Sequence, residues 1–203
     1  VIEPNRINSD IFIVNNEFII SGDEKSGSVT FHNPSTTFTV NKPSFFSFKK
    51  LLNHDDGVMS IASNSKFLFI LTKNGQIIIF RISDQRKLSS STLCGEKLEF
   101  GQIKCDENNF YVLYRTRNLS AFQGTKFDQN SNQILFNIKH RNLKYFDINQ
   151  EQIVLVSNDS VTIHNKETGD IQSNCILPFD LDSKETKITP EIAFLNSKGS
   201  VYI

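Results

Sequence analysis

Apolar residues in this chain come in short unbroken runs, and the runs recur at a nearly constant distance. Residues 18–20, 67–71, 110–114, 153–156 and 192–195 are continuously apolar. Runs this short predict strands covered on both faces. Half-apolar stretches precede several of them, at residues 11–14, 58–62 and 143–148, and predict a first strand for each unit. Between first and second strand stands a polar turn, at Asn15-Asn16, Asn64-Ser65, Asn108-Asn109 and Asn149-Gln150. Asn suits such turns because it tolerates positive φ and caps its own backbone. A tight turn follows the apolar run, as in Asn74-Gly75, Asn158-Asp159 and Lys198-Gly199, where central positions favour positive φ.

The third strand is a phrase the chain repeats. Gly27-Ser28-Val29-Thr30-Phe31-His32-Asn33 returns 132 residues later as Asp159-Ser160-Val161-Thr162-Ile163-His164-Asn165. Looser copies begin at Gly75, Asn118 and Gly199, so the turn positions 27, 75, 118, 159 and 199 are 48, 43, 41 and 40 residues apart. Less regular fourth strands are expected at residues 37–40, 134–138 and 171–177. Helical spacing shows in one stretch alone, residues 45–52. A period of about 40–45 residues with four antiparallel strands per unit predicts an all-β fold, a β-propeller of four-stranded blades. About five blades are visible, and they occupy the whole of residues 1–203.

The ends leave closure open. The last unit stops on its third strand, so the chain is expected to be incomplete at one or both ends. Residues 1–8 would close a five-bladed ring, two further blades would make it seven-bladed, or a partner chain would complete an open ring. In each case the sheet edge must be covered, because an open edge templates association.

The stretch His54-Asp55-Asp56-Gly57-Val58-Met59-Ser60-Ile61-Ala62 resembles the opening of a WD40 repeat, in which a His closes the loop before an inner Val-x-Ser-Ile strand. Asn165-Lys166-Glu167-Thr168-Gly169-Asp170 resembles the exit turn of a WD40-type or quinoprotein-like blade. The family's Trp-Asp pair should fall at His32-Asn33, Phe80-Arg81, Gln123-Gly124 and His164-Asn165, and none of these is Trp-Asp. The resemblance is therefore to a divergent WD40-like propeller. It implies a structural loop role for His54. It also implies an incomplete side-chain hydrogen-bond set, with rigidity carried by Phe and Ile packing. Members of this family serve as non-catalytic interaction scaffolds in larger intracellular assemblies, and that function is the expectation here. Two other expectations stay open, a nucleic-acid-binding propeller and a substrate-recognition propeller of a ubiquitin ligase.

Charge and composition narrow the classes. Lys plus Arg and Asp plus Glu number 22 each, which removes the broad cationic surface that non-specific nucleic-acid binding needs. The longest apolar run, residues 67–71, falls far short of the roughly 20 residues that span a bilayer. Cys94, Cys105 and Cys175 have no metal-ligand spacing and read as free thiols, which points to the cytoplasm or nucleus. No signal peptide is visible, and the chain starts at Val1 rather than Met.

Candidate chemistry is sparse. His32 and His164 occupy equivalent positions on different sheets and cannot converge on one zinc ion, so no metal is expected. Neither a nucleophile elbow nor a phosphate-cradling Gly loop occurs, and neither catalysis nor a cofactor is expected. Residues 88–92 and 128–132 read as exposed, unmodified outer loops. Phe45, Phe46 and Phe48 could form a hydrophobic anchor for a partner, or an outer strand or short helix buried on the first blade. The remaining candidate is cationic. Arg115 and Arg117 flank the turn of the third unit, while Lys139, His140 and Arg141 lead into the fourth. Neighbouring loops would bring them together as a site for an acidic or phosphorylated segment of a protein partner.

Overall fold

The computed structural model describes residues 11–14, 19–22, 29–32, 46–47, 57–84, 86–128, 131–140, 142–177, 194–195 and 201–202. Among them are eighteen strands and no helix. The chain divides into two compact units, Val1–Glu107 and Asn108–Ile203.

The first unit holds two complete antiparallel sheets. The first joins β1 (Ile11–Val14), β2 (Ile19–Gly22), β3 (Val29–His32) and β4 (Phe46–Ser47) in sequence order. The second joins β5 (Val58–Ser63), β6 (Phe67–Thr72), β7 (Gln76–Arg81) and β8 (Lys87–Thr92), again in order. All six residues of β6 are buried, and so are Ile77, Ile78, Ile79 and Phe80 of β7. Both faces of these strands are thus covered, as their unbroken apolar runs require. Next to β5 run β9 (Phe100–Cys105) and strands β1 and β2 of the first sheet.

Polar side chains fasten β9 to β5. Ser60 Oγ accepts the Ile103 N–H at 3.1 Å. Asn64 Nδ2 donates to the Asp106 and Glu107 carbonyls at 2.9 and 3.3 Å, while its Oδ1 accepts the Lys66 and Phe67 N–H groups of its own turn. Gly101 permits the approach, since a Cβ there would lie 2.6 Å from Leu71 Cδ2 and 2.9 Å from Met59 Cγ.

The second unit continues the pattern. Strands β10 (Asn109–Arg115), β11 (Ser120–Asp128) and β12 (Ser131–Lys139) pair antiparallel, side by side, in a third sheet. A fourth sheet joins β13 (Leu143–Ile148), β14 (Gln152–Ser157), β15 (Ser160–Asn165) and β16 (Ile171–Ile176) in order. β17 (Phe194–Leu195) and β18 (Val201–Tyr202) form a further pair. Aromatic rings fill this unit. Phe122 stacks near Tyr111 and Phe136, with centroids 6.4 and 6.0 Å away, and lies 4.9 Å from Phe146 of the fourth sheet. The Phe136 ring occupies space that a Cβ at Gly124 or Gly169 would take, and Gly169 also holds φ at 77° in the exit turn after β15.

Several expectations need correction. Residues 88–92, read as a loop, form most of β8, because an outer strand pairs on one side and can stay polar. Most of the loop expected at 128–132 is also strand, since β11 runs to Asp128 and β12 starts at Ser131. The first sheet is completed by Phe46–Ser47, which pairs with Phe31 and Thr30, so this part of the expected helical stretch is extended. The other expected fourth strand, 37–40, lies outside the described residues. β9 is a first strand that the apolar pattern left unassigned. The turns at 75, 118 and 159 each follow the most apolar strand of their sheet, while positions 27 and 199 lie outside the described residues.

Candidate functional site

The turn between β10 and β11 is built around a buried hydroxyl. Thr116 Oγ1 accepts the N–H groups of Asn118 and Leu119 at 3.3 and 3.1 Å, and Thr116 N–H donates to the Leu119 carbonyl at 2.8 Å. Equivalent turns use the same device. Thr72 Oγ1 accepts from Gln76 N–H at 3.1 Å, and Ser157 Oγ accepts from Ser160 N–H at 3.1 Å. All three side chains are buried. A turn whose first residue satisfies its own amides holds one shape, and residues at its crest are presented rigidly.

Arg117 stands at that crest and is exposed. Arg115, half-buried, ends β10 directly opposite Ser120 of β11. His140 N–H donates to the Ser120 carbonyl at 3.2 Å, and Lys139 pairs with Ala121. Arg115, Arg117, Lys139 and His140 therefore meet at one end of the sheet. Directly paired residues share a face and neighbours alternate, so Arg115, Ser120 and His140 form a row on one face, and Lys139 points to the other. Arg141 lies outside the described residues. Sequence reasoning missed Ser120, whose place in the row depends on strand register. The recurring hydroxyl at the end of the second strand, Thr72, Thr116 and Ser157, was a signal available in the sequence.

Phe46 sits in β4 opposite Phe31, while Phe45, Phe48 and His54 lie outside the described residues. His164 is buried, with Nδ1 2.8 Å from the Gly169 carbonyl and Nε2 2.8 Å from Thr162 Oγ1. A carbonyl can only accept, so Nδ1 donates to it. This imidazole braces the exit turn. Asp159, in the turn equivalent to that of Arg117, accepts from Ser157 Oγ at 2.9 Å and Ser160 Oγ at 3.3 Å. Burial, assisted by the Asp106 carboxylate, pushes the Cys105 thiol up to about 12, so it stays protonated and poorly nucleophilic at neutral pH. Among the described residues no group of three His, Cys, Asp or Glu side chains is placed to hold a metal ion. Among them, too, no helix is long and apolar enough to cross a membrane.

No protein-family model matches the chain, and no curated protein sequence matches it. Solved structures do match. The β-propeller domain of Cps50 (Swd1) from Myceliophteria thermophila aligns with a TM-score of 0.67 at 9% identity, over 93% of this chain and 62% of that one. BamB from Moraxella catarrhalis aligns with a TM-score of 0.63 at 11% identity, over 95% and 62%. The WD40 domain of Toxoplasma gondii coronin aligns with a TM-score of 0.60 at 10% identity, over 84% and 46%. The fold is all-β and that of a divergent WD40-like β-propeller. This chain spans between 46% and 62% of the length of these structures.

Proposed function

We propose that the protein is a non-catalytic interaction scaffold, a WD40-like propeller subunit of a larger assembly. The observation that carries this reading is the repeated turn device. Thr72, Thr116 and Ser157 each spend a buried hydroxyl on holding the turn after the second strand. Rigid turns on covered sheets favour recognition of a macromolecular surface. A recognition role asks only for fixed loops, and the described side chains supply them without assembling a nucleophile with a base.

The test is purification of the tagged full-length protein from its own cells after mild crosslinking, then reconstitution of the recovered complex from purified components. A stoichiometric protein partner that rebinds after nuclease treatment is the expected result. Loss of the complex on nuclease treatment, or failure of every recovered protein to rebind, would overturn the scaffold reading.

A further inference from the structure

The outer strands of the sheets differ in how they are protected. β8 keeps Leu88, Ser89 and Ser91 half-buried and carries Lys87, and β12 keeps Leu135, Phe136 and Ile138 half-buried and carries Lys139. All six residues of β16 are exposed, among them Ile171 at 65% and Ile176 at 77%. Its sequence, Ile171-Gln172-Ser173-Asn174-Cys175-Ile176, holds neither a charge nor a proline, the residues that commonly keep a sheet edge from pairing. It ends the order β13-β14-β15-β16, so among the described residues no strand lies on its other side.

Register fixes which backbone groups that edge offers. Leu177 N–H donates to the Asp159 carbonyl at 2.7 Å, and Cys175 and Ser173 stand opposite Val161 and Ile163. In an antiparallel pair, inward and outward bonding alternates along the strand. Residues 173, 175 and 177 therefore turn their backbone groups to β15, and Asn174 and Ile176 turn theirs outward. The register slips between Ile163 and His164, which leaves Gln172 outside the ladder. The regular edge is thus residues 173–177, centred on Cys175.

We propose that β16 pairs antiparallel with β16 of a second copy of this chain, about a two-fold axis at Cys175. This goes beyond the scaffold reading and does not depend on it. The axis sets Asn174 opposite Ile176 of the second copy, and Ile176 opposite its Asn174. These are the residues whose N–H and C=O groups point outward, so both pairs can exchange backbone bonds. A register centred on Asn174 would instead bring the irregular Gln172 opposite Ile176. A strand without charge meets its own copy with no like-charge repulsion, and it offers no countercharge to an acidic or basic strand. Cys175 then faces Cys175 of the second copy in a non-hydrogen-bonded pair, where Cα atoms are about 4.5 Å apart, within the span of a disulfide. A seam one strand wide is small beside an obligate interface, so the dimer exchanges with monomer as concentration falls.

Sedimentation of the full chain over a concentration series, under reducing conditions, tests the pairing, and crosslinking by diamide tests the register. Dimer should rise with concentration, and diamide should join Cys175 to Cys175, as mass spectrometry of the linked peptides would show. Asn174→Pro deletes an outward N–H while sparing the bonds to β15. Ile176→Lys sets two like charges on one face of the seam. Each should weaken association at least tenfold with circular dichroism unchanged. Ser173→Cys in a Cys175→Ser background, which the axis sets opposite Leu177, should crosslink at least tenfold more slowly than Cys175 in the wild type. Monomer throughout the series, association unchanged by Ile176→Lys, or crosslinking at position 173 as fast as at Cys175 each overturns the pairing. So does a strand of a different protein that binds the wild type and not Asn174→Pro while the chain alone stays monomeric. None of these outcomes touches the recovery and rebinding of a protein partner, so the scaffold reading stands or falls separately.

Discussion

The two units of this protein join neighbouring sheets with opposite chemistries. In the first unit, β9 is held against β5 by Ser60 and Asn64, whose side chains take up backbone groups of residues 103, 106 and 107. In the second, the third and fourth sheets meet through rings, with Phe122 against Phe146 and Phe136 lodged over Gly124 and Gly169. Hydrogen bonds specify register but contribute modestly each, about 1 kcal/mol net. Ring burial contributes more and tolerates small sliding, so the glycines must supply the specificity by leaving one cavity that fits Phe136. The same architecture thus fails in different ways when each fastening is cut.

The largest effect should come from the ring cluster. Phe122→Ala removes a fully buried ring that touches three other aromatics, and is expected to cost about 3–5 kcal/mol. Urea unfolding gives the loss, and hydrogen exchange should show it first at amides of β11, β13 and β14. A cost near 1 kcal/mol, or exchange rising first in β5 and β6, would contradict the assignment of this joint to aromatic packing. Gly169→Ala should follow at about 2–3 kcal/mol, combining left-handed strain with displacement of Phe136. Phe136→Leu in the same chain should recover part of that loss. If the double variant is no better than the sum of the two, the ring is not what Gly169 makes room for.

The polar joint should yield smaller numbers, and an internal control separates its parts. Asn64 and Asn149 cap equivalent turns, each accepting two backbone N–H groups on Oδ1, but of the two Asn64 also donates to the backbone carbonyls just past β9. Asn64→Ala should therefore cost about 1 kcal/mol more than Asn149→Ala, the usual value of such bonds. Equal losses would mean that the lateral bonds contribute nothing beyond the cap.

How far these joints could be read from sequence depends on whether a residue's role is local. The apolar runs that became β6, β10 and β14 were readable because burial on both faces leaves no polar position. The Asn turns were readable because Asx capping acts within four residues. β8 was misread because Ser89-Ser90-Ser91 is indistinguishable from a loop until β7 offers it a partner. β9 was missed because Gly101, demanded by Leu71 of another strand, interrupts its apolar content. Placement at the end of the third sheet follows the same division. Arg115, Arg117, Lys139 and His140 were readable since their turns flank one strand pair, whereas Ser120 enters only through pairing with Arg115. Phe136 stood in an expected strand, but nothing local tells that its ring meets two glycines.

The smallest expected effect probes the polar joint through Cys105, which ends β9 beside Asp106, whose carbonyl Asn64 holds. Burial first, and the Asp106 charge second, raise this thiol from an ordinary value of 9.0 to about 12. Below pH 9 the thiol is protonated in both folded and unfolded chains and adds no slope. Between about 9 and 12 the unfolded chain has lost this proton while the folded one keeps it, so stability falls as pH rises. Urea midpoints of the wild type and Cys105→Ala should therefore diverge above pH 9, the wild type falling faster, and other alkaline titrations cancel in the difference. Parallel profiles would show that β9 does not seal the thiol. At pH 8 an aromatic disulfide reagent should modify exposed Cys175 well before Cys105. Asn64→Ala should narrow that gap by loosening the end of β9, whereas Asn149→Ala should leave it unchanged. If Asn64→Ala has no effect on the rate at Cys105, the side-chain bonds set register without holding the joint shut.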